Sequence, residues 1–193
     1  MKQIETLKNT IIYGGAFNPP TRAHQMILQA CIDQAENMHA DVWLLPSGDR
    51  TDKTIETTRD MRLQMLAALT RDVVTRTVSV DIDTTELDRA IATETYDTMV
   101  EFKNRYPDRR LYWVYGSDSI ATMRSWKNGD QIIDEPMIVI ERPGYPVKNL
   151  GRQAVILAVE TMQVSSTDVR DRLRLNEPID DLVSSSVLEL LAK

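Results

Sequence analysis

The sequence predicts an α/β fold in which helices cover both faces of a doubly wound parallel sheet. Short segments dense in branched and aromatic residues alternate with segments of helical periodicity along the chain, as in successive βαβ units. The 193 residues show no internal repeat and no low-complexity linker, which suits a single domain over 1–193. In such sheets ligands bind beyond the carboxyl ends of the strands, so we expect the functional residues there.

Each element follows from its local composition. Branched and aromatic residues predict six strands, namely TIIYGGA at 10–16, DVWLLP at 41–46, VSVDID at 78–83, RLYWVY at 110–115, MIVIE at 137–141 and AVILAV at 154–159. Apolar residues spaced three and four apart predict six helices, at 22–37, 58–70, 94–105, 118–126, 166–174 and 181–192. The last two helices make a helical C-terminal part of the domain over about 165–193.

The net charge and the cysteine count exclude several classes of protein. The formal net charge is −6, whereas general nucleic-acid binders present broad basic surfaces. Cys31 is the single cysteine, so no internal disulfide can form, which fits a reducing compartment. No apolar run approaches the length of a membrane span, and the first ten residues lack the apolar core of a signal peptide. We therefore expect a cytoplasmic protein that binds neither nucleic acid nor membrane.

The segment IIYGGAFNPPTRAH at 11–24 predicts a phosphate site between the first strand and the first helix. Gly14 and Gly15 have no Cβ, so the backbone is expected to turn sharply there and to let a polyanion approach its amides. Free N–H groups at the start of the next helix favour phosphate. Thr21 near the cap and His24 on the first turn are expected to face the same ligand. An ordinary tight turn is the alternative.

A second polar segment, VSSTDVR at 164–170, predicts a helix start. One of the hydroxyl residues 165–167 would cap the helix, with Asp168 in the first turn. Hydroxyls and amides that point into a cleft, followed one turn later by Arg170, would also bind phosphate oxygens. The candidate cations for a small anionic substrate are Arg22, Lys53, Arg89, Arg124 and Arg170.

Both segments resemble the signature of the adenylyl- and cytidylyltransferase superfamily. The first is similar to G-x-F-x-P followed by [H/T]-x-G-H, with Ala23 in place of the usual glycine, and the second is similar to I-S-S-T-x-[IV]-R. The middle of the chain resembles bacterial nicotinate-mononucleotide adenylyltransferases. There ELDRAIATETYDTM at 86–99 is similar to E-L-x-R-x-G-x-S-Y-T-x-D-T-L, YPDRRLYWVYGSD at 106–118 to Y-P-D-x-x-L-Y-F-I-I-G-x-D, and ERPGY at 141–145 to R-P-G-Y.

This resemblance implies a Rossmann-like fold and adenylyl transfer from ATP to nicotinate mononucleotide, which gives the deamido dinucleotide and pyrophosphate in NAD biosynthesis. Mg²⁺ bound through the ATP phosphates is the implied cofactor. The implied catalytic residues are His24, Thr21 and Arg170. The implied ATP and phosphate contacts are Gly14, Gly15, Ala16, Phe17, Ser165, Ser166, Thr167 and Lys53. The implied mononucleotide contacts are Thr85, Arg89, Thr95, Asp118 and Trp126. Glu86 and Glu94 would repel an anionic pyridine substrate if either pointed into the pocket.

Several alternatives stay open. The loop at 47–53 keeps only Lys53 of the usual P-P-H-K ending, and the FNP triplet at 17–19 also suits nicotinamide mononucleotide. A related enzyme could act on phosphopantetheine, and a non-catalytic nucleotide-binding protein is a distant alternative. Trp126 could pack at a helix end instead of stacking on the pyridine ring, and Asp118 could cap a helix instead of binding ribose. A homo-oligomer is compatible with the sequence.

Overall fold

The computed structural model describes residues 7–48, 55, 57–92, 94–148 and 150–192. Its strands are β1 (Lys8–Gly15), β2 (Ala40–Pro46), β3 (Val80–Ile82), β4 (Arg109–Gly116), β5 (Met137–Ile140) and β6 (Ala154–Leu157). Its helices are α1 (Arg22–Met38), α2 (Arg59–Arg71), α3 (Thr95–Arg105), α4 (Ser117–Met123), α5 (Gly129–Ile133), α6 (Ser166–Arg174) and α7 (Ser185–Leu191). None of the helices in these ranges is long and apolar enough to cross a membrane.

The six strands form one sheet in the order β3-β2-β1-β4-β5-β6, and each neighbouring pair is parallel. The chain therefore runs outward from β1 to one edge and returns to start again at β4 beside β1. Such a reversal leaves a crevice beyond the carboxyl ends of the two central strands. The predicted doubly wound Rossmann-like sheet is confirmed, and the crevice lies beyond Gly15 and Gly116.

The strands contribute side chains to two apolar layers, one on each face of the sheet, because successive side chains of a strand point to opposite faces. On β1, Ile11 and Tyr13 pack toward α1, α2, α6 and α7, whereas Ile12 packs toward α3, α4 and α5. Residues on both faces are fully buried, as Ile11 and Ile12 show at 0 % exposure each. Burial on both faces fits the nearly continuous apolar run that the central strands display in the sequence.

Gly14 and Gly15 do not turn the chain, contrary to the sequence prediction. Strand β1 continues through them, and they pair with Leu45 and Pro46 of β2. The reversal comes later, at Phe17, whose φ of 46° lies in the left-handed region, followed by a cis Asn18–Pro19 bond. Gly15 allows the Phe17 ring to approach the end of the strand closely, whereas a Cβ at Gly14 would make only an ordinary contact with Leu45. The left-handed conformation is adopted by Phe17 and not by a glycine.

Two helix boundaries also differ from the prediction. The helix expected at 118–126 ends at Met123, and α5 follows it after a turn at Asn128 with φ of 53°. An added Cβ at Gly129 would lie 2.0 Å from the carbonyl oxygen of Met123, so only glycine lets the two short helices meet. The last helix begins at Ser185 rather than 181, because the preceding turn carries the Leu182 carbonyl that accepts the Arg22 N–H at 2.8 Å.

Candidate active site

A cavity of about 300 Å³ opens at the crevice between β1 and β4, within the size range of small-molecule sites. The ends of β1, β2 and β4 form its floor, α1 and α4 border it, and loops bring in side chains from farther along the chain. The lining includes three glycines, Gly14, Gly15 and Gly116, and the polar or aromatic residues His24, Ser47, Glu86, Thr95, Tyr115, Asp118, Trp126 and Arg142. The predicted position of the site, beyond the carboxyl ends of the strands, agrees with this cavity.

The turn after β1 is built around a buried aromatic ring. Phe17 is 0 % exposed, and its ring packs edge to face on Tyr13 at 5.4 Å and lies 5.2 Å from the His24 ring. An added Cβ at Gly15 would lie 3.2 Å from the Phe17 ring, so the glycine makes room for that ring. The side chain of Phe17 therefore packs in the core against the His24 ring. Only the backbone of Phe17 could contact a ligand.

A buried arginine that no sequence pattern singles out holds the same turn from α2. Arg62 is 3 % exposed and donates to the carbonyl oxygen of Ala16 through Nε at 3.0 Å and Nη2 at 2.7 Å. Its Nη2 also donates to the carbonyl oxygen of Ser47 at 2.6 Å. The loops after β1 and β2 are thereby fixed to one guanidinium. Gly15, next to Ala16, and Ser47 line the cavity, so Arg62 holds both loops where they border it.

His24 has a defined orientation and protonation state. The backbone N–H of Thr21 donates to His24 Nδ1 at 3.0 Å, and the Thr21 hydroxyl lies 2.8 Å from the same nitrogen. Since an N–H can only donate, Nδ1 is an acceptor and the neutral ring carries its proton on Nε2. Burial, together with the positive charge of Arg142, lowers the pKa of His24 to about 4. The ring is therefore neutral at pH 7 and offers Nε2–H as a donor.

Thr21 orients His24 and does not line the cavity. Its side chain is 0 % exposed and caps α1 by accepting the His24 N–H at 3.4 Å. Together the two residues form a capping box that satisfies two backbone N–H groups at the start of α1. Of the two residues expected to face a ligand, only His24 lines the cavity, because the Thr21 hydroxyl is occupied by the cap.

Among the residues that the structure describes, Arg142 is the one cationic side chain that lines the cavity. It is not among the candidate cations that the sequence predicts. It follows β5, within the ERPGY segment. Its backbone N–H donates to Ser117 Oγ at 2.9 Å, and Nη1 donates to Thr161 Oγ1 at 3.4 Å. These contacts hold the guanidinium beside the end of β4, where an added Cβ at Gly116 would lie 3.4 Å from Nε. Two sequence signals could have selected it, namely its place after a strand and its match to the arginine of R-P-G-Y.

Glu86 and Thr95 form the wall on the side of α3, and Arg89 stands behind them. Glu86 accepts a hydrogen bond of 2.7 Å from the Thr98 hydroxyl, which in turn accepts one of 2.7 Å from Arg89. Arg89 also forms an ion pair with Glu101 and lines a separate depression. Arg89 therefore acts on Glu86 through Thr98 and is not brought to the cavity. The cavity wall instead carries a carboxylate.

Trp126 and Asp118 are brought to the cavity as expected. Trp126 follows α4 and meets Tyr115 edge to face, with ring centroids 6.2 Å apart and planes at 72°. Asp118 lies in the first turn of α4 and is exposed, and its Oδ1 would lie 2.2 Å from a Cβ added at Gly116. Glycine at 116 thus permits the carboxylate to fold over the end of β4. Gly116 itself occupies the N-cap position, so Asp118 is not the cap of this helix.

The SSTDVR segment caps α6 and holds the turn after β1 through two hydrogen bonds. Ser165 is the N-cap, in a capping box with Asp168. Ser166 Oγ donates to the carbonyl oxygen of Pro19 at 2.8 Å, and Arg170 Nη1 donates to that of Asn18 at 2.7 Å. The capping interpretation of the segment is confirmed. The phosphate-binding one stays a prediction, because these side chains lie beside the cavity and not in its lining.

The remaining predicted site residues lie elsewhere. Thr85 accepts a hydrogen bond from Arg105 Nη1 at 2.8 Å and is not part of the lining. Thr167 is exposed and accepts from Arg170 Nη2 at 3.0 Å. Lys53 lies outside the described residues. The side chains of Arg22 and Arg124 engage the Asp180 carbonyl and Asp130 respectively, so the candidate cations that the structure describes all lie outside the lining, and Arg142 supplies the charge instead.

The chain is similar over most of its length to proteins of known family. The model of the cytidylyltransferase-like family matches residues 12–172. A protein of Corynebacterium kroppenstedtii named "probable nicotinate-nucleotide adenylyltransferase" is 30% identical over 94% of this chain and 87% of its own length. The nicotinate-nucleotide adenylyltransferase of Bacillus subtilis is 27% identical over 94% of each chain.

A solved structure has the same fold. It is Plasmodium falciparum nicotinic acid mononucleotide adenylyltransferase complexed with NaAD, with a TM-score of 0.78, 23% identity, and coverage of 96% of this chain and 95% of that one. The family match, which runs from β1 to α6, contains both the histidine turn and the SSTDVR segment. The chain therefore belongs to the cytidylyltransferase-like family and, within it, to the nicotinate-nucleotide adenylyltransferases.

Proposed function

We propose that this protein transfers the AMP group of ATP to the phosphate of nicotinate mononucleotide, which gives the deamido dinucleotide and pyrophosphate. The observation that carries the proposal is a neutral His24 donor and the Arg142 cation at one crevice of a nucleotidyltransferase fold. The names of the similar enzymes from Corynebacterium kroppenstedtii and Bacillus subtilis supply the substrate. ATP and a pyridine mononucleotide are thus the proposed partners in NAD biosynthesis.

The reaction needs alignment and charge neutralisation from the protein. The attacking phosphate oxygen is already ionised at neutral pH, so neither a protein nucleophile nor a strong base is required. Negative charge accumulates on the departing pyrophosphate, where a fixed N–H donor and a fixed cation stabilise the transition state. His24 Nε2–H is that donor, held by Thr21. The N–H groups of Arg22 and His24 at the start of α1 already donate to Leu182 and Thr21, so the helix start predicted to bind phosphate offers fewer free donors than expected.

The two substrates are assigned to different parts of the crevice. We place the triphosphate over the turn after β1, between α1 and α6, where Arg170 and the Ser166–Thr167 hydroxyls lie beside the cavity. We place the mononucleotide between β4 and α3, with its ring on Trp126 and its ribose at Asp118. The Arg142 guanidinium lies near the end of β4, where the phosphates of the two substrates would meet.

We propose that Mg²⁺ binds together with ATP, through the ATP phosphates. Among the residues that the structure describes, no group of three or more His, Cys, Asp and Glu side chains could hold a metal ion. Mg²⁺ that accompanies a nucleotide is usually held chiefly by phosphate oxygens and water, so it does not need a cluster of protein ligands. When bound there, the ion would offset charge on the triphosphate, and the chain's own part is to hold the phosphates.

The direct test is ATP-dependent pyrophosphate release with three acceptors, namely nicotinate mononucleotide, nicotinamide mononucleotide and phosphopantetheine. We expect kcat/KM for nicotinate mononucleotide to exceed that for the amide by at least about tenfold, which requires about 1.4 kcal/mol of differential binding. Mass spectrometry of the product identifies the dinucleotide. Pyrophosphate release with phosphopantetheine alone would contradict the proposal, and equal values for acid and amide would contradict its substrate. Cytoplasmic location, a single domain and a homo-oligomer stay predictions.

A further inference from the structure

Two ion pairs join α3 to the part of the chain that follows α4. Lys127, in the turn between α4 and α5, places its Nζ 2.7 Å and 2.9 Å from the two carboxylate oxygens of Asp97. Asp97 belongs to the first turn of α3, whereas Lys103 in the last turn of the same helix pairs with Glu135 just after α5. The two pairs therefore connect opposite ends of α3 to the same neighbouring segment.

The Lys127–Asp97 pair connects two walls of the cavity. Lys127 directly follows Trp126, which lines the cavity from the segment after α4. Asp97 lies two residues after Thr95, which lines the cavity from the start of α3. A flat ring that stacks on Trp126 has the room that these two walls leave between them. The ion pair thus joins the two elements that border the place assigned to the pyridine ring.

Packing between α3 and α5 is incomplete, which gives the ion pairs more influence. A depression of about 100 Å³ lies between the two helices, and Met99, Val100 and Gln131 are part of its lining. Val100 remains 40 % exposed. Side chains that border a gap lack the dispersion contacts of a close-packed interface. Polar contacts therefore contribute more to fixing the position of α3 than they would in a filled interface.

We propose that Lys127 and Asp97 are positioning residues, whose ion pair sets the distance between the Trp126 ring and the start of α3 and thereby the affinity for the pyridine mononucleotide. Neither of the two side chains is part of the described cavity lining, so they act through their neighbours. The proposal rests on the proposed function for the identity of the ligand. The Lys127 and Asp97 side chains are 51% and 42% exposed, so the effect is that of a pair weakened by salt.

Lys127→Met and Asp97→Asn test the proposal together, since each removes one charge of the pair and keeps a side chain of similar length. We expect each variant to raise the KM for nicotinate mononucleotide about threefold, with kcat and the KM for ATP unchanged. The double variant should raise the KM no further, because either single change already breaks the pair. If Lys127 only attracted the anionic substrate, Lys127→Met would raise the KM and Asp97→Asn would lower it. Changes of opposite sign would therefore overturn the proposal.

Lys103→Met is the matched control, because Lys103 joins the same helix to the segment after α5 and lies outside the cavity lining. We expect it to leave both KM values unchanged. An equal rise in the KM of Lys103→Met would mean that any loss of charge on α3 has the same effect, and unchanged KM values in Lys127→Met and Asp97→Asn would mean that the pair has no part in binding. Either result would refute the positioning role.

Hydrogen exchange without substrate separates this proposal from the proposed function. Amides of α3 should exchange faster in Lys127→Met than in the parent protein, whatever ligand the cavity binds, because the helix is held less firmly. Unchanged exchange would contradict the positioning role. If the parent protein releases no pyrophosphate from ATP and nicotinate mononucleotide, the proposed function fails, and the exchange rates of α3 alone decide for the ion pair.

Discussion

Replacing His24 by Asn should lower kcat about 10²- to 10³-fold, while the protein stays folded. The imidazole supplies one donor, Nε2–H, whose position is fixed because Nδ1 accepts the Thr21 N–H at 3.0 Å. Removing one donor that acts on charge developed in the transition state typically costs about 2.7–4 kcal/mol. The asparagine side chain is shorter, and its amide ends near the position of Nδ1, so the substitution does not restore the donor at Nε2.

The assay is pyrophosphate release at saturating ATP and mononucleotide, so that the change appears in kcat and not only in KM. His39→Asn is the matched control, since His39 is exposed at the left-handed C-cap of α1, a conformation that Asn tolerates. We expect the control to retain the parent rate. A folded His24→Asn variant with near-parent kcat would refute the role of the histidine, and an equal loss in His39→Asn would show that helix stability alone is measured.

Three further outcomes follow from the same geometry. Trp126→Ala should raise the KM for the pyridine mononucleotide and leave that for ATP nearly unchanged, whereas equal effects in steady-state kinetics would indicate packing. Arg62→Ala should lower the free energy of unfolding by about 2–4 kcal/mol in urea titrations, because two loop carbonyls lose their donor. Arg62→Lys should recover part of that free energy. Full stability in the alanine variant would contradict the role of Arg62 in holding the two loops. The pKa of His24 is about 4, below its unfolded value of 6.5, so the unfolded chain binds more protons than the folded protein between these two pH values. The Tm should therefore fall as the pH drops from 6.5 to 4. His24→Asn should lack this decline in Tm.

The fold could be predicted because its determinants are local. Continuous apolar strands and periodic helices specify a doubly wound sheet, and that sheet alone places the crevice beyond β1 and β4. The errors arise where tertiary contact overrides local preference. Gly14 and Gly15 look like a turn, yet the sheet extends through them, and Phe17 takes the left-handed conformation because its ring is buried beneath His24.

Within the site, sequence motifs identified side chains but not their partners. Arg89 lies in a matching motif and is nonetheless held by Thr98 and Glu101, whereas Arg142 reaches the cavity from the loop after β5. Arg62 carries no motif signal that distinguishes it from the other arginines of α2. Which cation faces a ligand depends on the nearest carboxylates and carbonyls in space, and a linear pattern does not encode those distances.

Glu86 determines how strongly the site distinguishes acid from amide. Of the two acids that could repel nicotinate, Glu86 lines the cavity, whereas Glu94 is exposed at the N-cap of α3. Glu86→Gln should raise the ratio of kcat/KM for nicotinate over nicotinamide mononucleotide by about threefold to tenfold, or about 0.7–1.4 kcal/mol, because a like charge is removed from the wall while the Thr98 hydroxyl keeps an acceptor. Glu94→Gln is the control, since it removes the same charge outside the cavity and should leave the ratio unchanged. Competition between the two mononucleotides measures the ratio directly. A shift of Glu86→Gln toward the amide would mean that the carboxylate helps to bind nicotinate, and equal shifts in both variants would mean that only the net charge of the protein matters.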